Sequence, residues 1–567
     1  MRLSLAAPYA PGIEATRVAS TSIEDATTVA ERKGLMAGNE FDAIVIGAGN
    51  NGLSAAAYLQ KAGMETLLLE ANDFLGGRTS SAELTIPGFT HDLAATGLIF
   101  GLGSPAISQD ELGLLSKYHF DLNLCDPDHP AVVNVFDDGT VLPVWDDIDK
   151  MCAEIAKYSE HDAKAYKEFF EYVSPMVGMM QMGMTSAPPS MGALFAQLDS
   201  IPLGKELIKT LFMSAYELVA PWFEDDRTII YLLNYASEAL VDPFEGGSAL
   251  YVLTLVATQH IPGSTASFPR GGMGQLARVF KECIEDAGGT IKTNSEVCKI
   301  ITENGRAVAV QTTDGRTYKA RKAILSTIHP KFTLQQWLDT PIDAKISRDI
   351  DHLVDPTAVG FMTHLALDCD PQFIGNNPMT QVGTEMSLLT SNLQAFTQFY
   401  TDIRLKKLPD PSCRLMCLVS TRADAGRAPE GKAVMACWAF VPWDPERDAD
   451  KWDELKEEYS QRTLDAFYKF TTNMDDSKVL GKKIMSPLDY TRVDKAVVHG
   501  AVMGPKASMY QYMAYRPTPD LGQYRTPVAG LYLGGECVHP GGGVTLGGRP
   551  VAMTIMEDAG IDFDEVF

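Results

Sequence analysis

The alternation of apolar and polar positions is sharpest between Phe41 and Glu70. Ala43-Ile44-Val45-Ile46 is a short, β-branched apolar run of the kind that forms a buried parallel strand. Leu53 to Ala62 then carries a helical pattern, and its small residues Ser54, Ala55, Ala56 and Ala57 allow close packing on a sheet. A second apolar run, Thr66 to Leu69, ends in Glu70. The pattern predicts strand, helix, strand.

Further on, the periodicity turns helical from about 105 to 262, most clearly over Asp146 to Tyr172 and Lys205 to Leu218. Gln275 to Ala287 reads as an amphipathic helix ended by Gly288-Gly289. Short strands follow at Thr290 to Lys292, Glu296 to Thr302, Ala307 to Thr312 and Lys322 to Ser326, with hairpin turns at Asn304-Gly305 and Asp314-Gly315. Ala358 to Leu367, Arg414 to Thr421 and Ala433 to Val441 are strand-like, and Lys451 to Phe470 is a charged helix. Near the end, Leu531 to Leu533 reads as a strand, and a helix is predicted from Val544 to about Ala559.

The first of these units carries a specific chemistry. Gly47, Gly49 and Gly52 stand in G-x-G-x-x-G spacing between the strand and the helix. Gly47 suits the tight turn, Gly49 admits a pyrophosphate against the backbone, and Gly52 lets the helix lie close to the strand. The free N–H groups and positive dipole end of the helix then face the phosphates. Glu70, 18 residues after Gly52, is placed to accept hydrogen bonds from an adenosine ribose. The unit predicts a dinucleotide site.

Composition narrows the partners. The chain of 567 residues has 48 Lys and Arg against 73 Asp and Glu, a net charge of −25. That excess argues against nucleic acid or an anionic membrane as a main partner. Nine cysteines are scattered without a C-x-x-C, and ten histidines form no metal-binding spacing; reduced thiols, a cytoplasmic setting and no metal site are expected. No apolar run approaches the roughly 20 residues needed to span a bilayer. Residues 1–40 lack a signal-peptide core and carry acids at Glu14, Glu24, Asp25 and Glu31, so a flexible tail is expected there. Five methionines fall within the nine residues from Met176 to Met184. They read either as gap-filling core or as a channel or membrane-facing lip for a long apolar substrate.

Two more stretches extend the dinucleotide site. Gly76-Gly77-Arg78 adds backbone N–H groups and a fixed cation just past the second strand. At the far end, Gly534-Gly535-Glu536 closes a strand, and His539-Pro540-Gly541-Gly542-Gly543 precedes the last helix. Amides there would stabilise negative charge on a bound group. NAD does not need this second glycine-rich element. FAD is long enough to be held by both ends of the chain, so the pairing favours FAD.

GAGNNG, the following glutamate and GGR near the start, with GQYRTPVAGLYLGGECVHPGGGVTLGGR near the end, resemble the phytoene desaturase superfamily of FAD-dependent oxidoreductases, in its phytoene dehydrogenase-like and carotenoid isomerase-like subgroup. The resemblance is strong over 41–100 and 495–560, and fair over 265–330. It implies an α/β fold: a Rossmann-like FAD-binding domain assembled from 41–105, 263–335 and 496–567. Residues 106–262 and 336–495 would form an inserted α+β substrate domain, a helical cap plus a sheet. It also implies pyrophosphate contacts at Gly47, Gly49 and Gly52, with Asn51 in the same motif. Glu70 would hold the ribose and Arg78, after Gly77, the phosphates or flavin. Val297 would meet the adenine, Gly535 and Glu536 the ribityl or pyrophosphate, and Val544 and Thr545 the flavin pyrimidine. Gly548-Arg549-Pro550-Val551-Ala552 departs from the family's usual G-R-x-A-A, and Pro550 fits poorly in a helix running from Val544.

Such a protein removes two hydrogens from a hydrophobic small molecule, such as a polyene, terpenoid or alicyclic compound, with hydride passing to the flavin. Two other readings remain open: flavin-dependent double-bond isomerisation without net redox change, and FAD binding in an interaction role. His539 is the best-placed proton acceptor by sequence, with a structural role beside Pro540 as its alternative; Asp92, Arg270 and His499 are weaker candidates.

Overall fold

The computed structural model describes residues 39–98, 100–123, 128–181, 183–256, 258–260 and 267–567. Residues 1–38 of the expected tail, and Met182, lie outside them.

In chain order the elements that build the site are β1 (Glu40–Ile46), α1 (Asn50–Lys61), β2 (Thr66–Leu69), β3 (Val132–Phe136), β4 (Val141–Pro143), α2 (Glu160–Gln181), α3 (Asp226–Ser237), α4 (Gly274–Asp286), β5 (Thr290–Lys292), β6 (Val297–Glu303), β7 (Arg306–Thr312) and β8 (Thr317–Ser326). They continue with β9 (Val359–Leu367), β10 (Glu385–Leu389), β11 (Arg414–Val419), β12 (Ala433–Val441), α5 (Trp452–Lys469), β13 (Val479–Met485), β14 (Leu531–Leu533) and α6 (Gly548–Asp558).

Two sheets organise the chain. The first runs β6-β7-β8-β1-β2-β5, with β14 parallel to the end of β8 through Ile324 and Leu531. β1, β2 and β5 are parallel, with Ala43 opposite Thr66 and Leu67 opposite Thr290. Ile44, Val45, Leu67, Leu68 and Ile324 have no exposed surface and share one core with residues of α1, α4 and α6. Burying each such side chain contributes about 1.5–3 kcal/mol. The arrangement is the expected α/β Rossmann-like layer, and three distant stretches of chain supply its strands.

The second sheet runs β13-β9-β12-β11-β10-β3-β4, antiparallel except where β10 lies parallel to β3. One face, including Phe361, Cys417 and Cys437, packs with Trp452, Tyr459 and Phe467 of α5. Register places Met362 opposite Trp438, Trp438 opposite Met416, and Leu418 opposite Glu385. These residues therefore share the other face.

Several expectations need correction. The helix predicted over Lys205 to Leu218 is two helices, Pro202–Phe212 and Ala215–Val219. Ser214 and Glu217 form a reciprocal capping box that restarts the chain. Asp146 to Tyr172 likewise splits into Ile148–Ile155 and α2. In the methionine stretch, Met176 is buried in the helical core and Met179 packs against it. No helix among the described residues is long and apolar enough to cross a membrane.

Candidate functional site

β1 runs straight into the glycine turn. Gly47 has φ +95°, and a Cβ there would lie 2.6 Å from Thr327 Oγ1. At Gly52 a Cβ would come within 1.9 Å of the Gly47 carbonyl oxygen. Both glycines are required by the protein's own packing. Gly49 differs: a Cβ built there meets nothing within 4 Å. Gly49 also stands at the N-terminus of α1, which has no side-chain cap and no acidic residue in its first turn. The leading N–H groups of α1 are thus left for an anion.

Glu70 directly follows β2 and is 7% exposed. Its Oε2 accepts from the Ala48 N–H at 2.8 Å, and its Oε1 from the Asn72 N–H at 2.9 Å. Burial raises its pKa, and the hydrogen bonds from Asn72 and Ala48 oppose that rise. The Glu70 carbonyl accepts from Ser295 N–H at 2.7 Å, which brings Val297, at the start of β6, toward the same edge.

Beyond Glu70 the chain folds back. Gly76 N–H donates to the Ala48 carbonyl at 2.8 Å, and a Cβ on Gly77 would sit 3.6 Å from Gly49 Cα. Arg78 is held between two carboxylates, Nη1 2.8 Å from Asp494 and Nη2 2.9 Å from Glu536 Oε2. Burial works against its charge, but Glu536 and Asp494 outweigh that, so its pKa is raised. Glu536 follows Gly535, which has φ +81°. Its carbonyl accepts from Arg516 Nε at 3.0 Å and Nη2 at 2.6 Å. Arg516, 1% exposed, also binds the carbonyls of Met503 and Pro505, clamping that loop to the end of β14. Sequence pattern alone marks neither Asp494 nor Arg516. Both stand in irregular segments, and neither belongs to a recognisable motif.

The glycine-rich loop before α6 is longer than expected. The helix begins at Gly548, not Val544, because Gly543 (φ +84°) and Leu546 (φ +54°) turn the intervening chain away from helical geometry. Pro550 consequently falls in the first turn, where its missing N–H costs no helical hydrogen bond. Asn51 Oδ1 accepts from Gly547 N–H at 2.8 Å, so Asn51 ties this loop to the start of α1. Gly548 crosses α1 so closely that a Cβ would lie 2.2 Å from the Asn51 carbonyl oxygen. Thr545 Oγ1 donates to the Gly541 carbonyl at 3.2 Å.

Asn50, Arg78, Gly543 and Val544 line one end of a cavity. Met362, Met416, Leu418 and Trp438, from the inner face of the second sheet, line it with Glu238 and Glu385. The proposed base His539 is not in its wall. It is fully buried, and its Nε2 donates to the Gly183 carbonyl at 2.7 Å. Burial pushes its pKa down to about 4. These contacts describe a loop anchor, not a group poised over the cavity. Asp92 accepts from Ser81 and from Met273 N–H at the start of α4, and pairs with Arg427 at 2.7 Å. Arg270 and His499 are solvent-facing partners of Asp121 and Asp355. None of the three lines the cavity.

The residues fit FAD. Open space over Gly49 matches a pyrophosphate, and the buried oxygens Asn50 Oδ1 and Glu536 Oε1 have no partner within the protein. Among the described residues no group of three or more His, Cys, Asp or Glu is placed to hold a metal ion.

Comparison with known proteins gives the same direction. Residues 52–548 match the family described as flavin containing amine oxidoreductase. The chain is 28% identical to the rat protein named pyridine nucleotide-disulfide oxidoreductase domain-containing protein 2, over 92% of this chain and 94% of that one. It is 24% identical to the lycopene-forming phytoene desaturase of Pseudescherichia vulneris, over 91% of this chain and 99% of the other. The crystal structure of an oxidoreductase from Methanosarcina mazei superposes with a TM-score of 0.58 at 20% identity, covering 91% of this chain and 99% of its own.

Proposed function

The chain belongs to the flavin-containing amine oxidoreductase family and is a FAD-dependent oxidoreductase, and we propose that it dehydrogenates a hydrophobic small molecule held between the two sheets. One observation carries this reading. A single cavity has Asn50, Arg78, Gly543 and Val544 at one end and the apolar face of Met362, Met416, Leu418 and Trp438 at the other. A largely hydrocarbon body fits such a wall, because its transfer from water is favourable and leaves few polar groups unpaired.

Bound FAD supplies a two-electron acceptor. In this reading the Gly47–Gly52 turn and the N-terminus of α1 hold the pyrophosphate, with Gly77 beside it. Glu70 accepts from the adenosine ribose, and the backbone at Val297 borders the adenine. Gly535 and Glu536, with Arg78 neutralising the carboxylate, hold the ribityl end. The amides of Val544 and Thr545 face the pyrimidine edge. Pairing Arg78 with Glu536 keeps both charges fixed before the cofactor arrives, so little reorganisation accompanies binding. The second sheet positions the substrate and excludes water. A relative named phytoene desaturase supports a polyene or terpenoid as the substrate class.

The test is anaerobic mixing of the FAD-loaded protein with a panel of polyenes, terpenoids and alicyclic compounds. Bleaching of the flavin together with a product two hydrogens lighter is expected. A product of unchanged mass, formed without any acceptor, would replace dehydrogenation with isomerisation. A flavin that no hydrophobic compound bleaches would contradict the proposed substrate class.

A further inference from the structure

Two carboxyls, Glu238 and Glu385, line the cavity beside Met362, Met416, Leu418 and Trp438. Glu238 caps the C-terminus of α3, and Glu385 opens β10 on the inner face of the second sheet. They are 8% and 4% exposed, and both line the cavity. Two carboxyls buried together in one wall are not both ionised, so the pair carries a proton. Glu238 Oε1 and Glu385 Oε1 have no hydrogen-bond partner within the protein, which leaves donor and acceptors for a ligand.

The charge around the pair supports the same reading. Arg414, 1% exposed, stacks on Phe440 with its guanidinium carbon 3.6 Å from the ring centre, and its charge bears on both carboxyls. Burial raises both carboxyls, with Glu385 pushed up to about 7 and Glu238 well above its usual value, while Arg414 opposes the rise. One proton on the pair leaves a single negative charge, which the arginine balances. A neutral cluster of this kind does not select an ammonium group. It offers one O–H donor and free acceptor oxygens inside an apolar wall.

We propose that the Glu238–Glu385 carboxyl pair is the polar anchor of the substrate cavity, and that the substrate is a hydrocarbon skeleton bearing a hydroxyl group, which donates to one carboxyl and accepts from the other. The inference rests on the reading of this cavity as the substrate site. A pure hydrocarbon seated here would leave Glu238 Oε1 and Glu385 Oε1 without a partner. Sites built to hydrogen-bond a substrate hydroxyl discriminate strongly against the analogue lacking it, because their buried polar groups are then left unpaired.

The experiment titrates the full-length, FAD-loaded protein with perillyl alcohol and with limonene, which share a ring skeleton and differ by one hydroxyl. Binding is read from perturbation of the flavin spectrum and from calorimetry. The alcohol is expected to bind at least about tenfold more tightly. Glu385→Leu should abolish that preference, whereas Glu385→Gln, whose amide still donates and accepts, should keep much of it. Flavin content reports that each variant has folded. Equal affinities, tighter binding of limonene, no binding of either compound, or a preference that survives Glu385→Leu overturns the proposal. The wild-type comparison decides alone should the leucine variant not fold. A protein that holds no FAD would instead count against the functional reading beneath it.

Discussion

Arg78 Nη2 sits 2.9 Å from Glu536 Oε2, so the turn after β2 is tied by a buried ion pair to the end of β14, near the other end of the chain. Asp494 completes the cluster at 2.8 Å from Nη1. Arg78→Ala leaves two carboxylates facing each other with no cation. Breaking a buried pair in this way costs about 3–5 kcal/mol. Urea denaturation should show a midpoint lowered accordingly, with Arg78→Lys recovering part of it. An unchanged midpoint would remove the cluster from the fold's supports.

The glycines of the first turn should respond in opposite ways. Gly49→Ala places its methyl in open space with ordinary backbone angles, so stability without FAD should change by less than about 0.5 kcal/mol. FAD affinity should fall, by the equivalent of about 1–3 kcal/mol of crowding. Gly52→Ala drives a methyl into the Gly47 carbonyl oxygen and should destabilise the protein itself, by about 3 kcal/mol or more. Thermal melts of the flavin-free and loaded forms separate the two cases.

Glu70→Ala should weaken FAD retention by about 1.5–3 kcal/mol, the usual contribution of hydrogen bonds to a charged group. Fluorescence titration of the flavin-free protein measures it. Some loss of stability should accompany the change, because the Ala48 and Asn72 N–H groups lose their acceptor. Unchanged FAD affinity would take Glu70 out of the cofactor site.

Acid should unfold the protein partly through His91 and His364, whose rings meet edge-on at 5.6 Å. Burial lowers their pKa values from the usual 6.5, to about 4 for His91 and about 3 for His364. Below pH 6.5 the unfolded chain takes up protons that the folded chain refuses, so stability falls as pH drops from 6.5 toward 4. His364→Leu should flatten that fall by up to about 1.4 kcal/mol per pH unit. Denaturation midpoints at pH 7, 6 and 5 measure the slope, and equal slopes in both proteins would contradict the assignment.

The sequence by itself determined the βαβ unit at Phe41–Glu70 and the final strand at Leu531–Leu533. Each rests on chemistry within a few residues: a β-branched run, glycines at fixed offsets, and a carboxylate at a strand end. It also pointed to FAD, since glycine-rich stretches at both ends imply a long cofactor. Tertiary structure decided the rest. Glu385 and Ser387 alternate with Met386 and Leu388 in a strand of only 5 residues, too short for its alternation to stand out from the surrounding chain. Only the register of β10 against β11 shows that Glu385 faces the same cavity as Met416 and Trp438. His539 stood beside the right loop in sequence, yet packing turned its ring onto the Gly183 carbonyl and away from the cavity. Side-chain direction there follows from contacts between segments far apart in the chain, which no local pattern encodes.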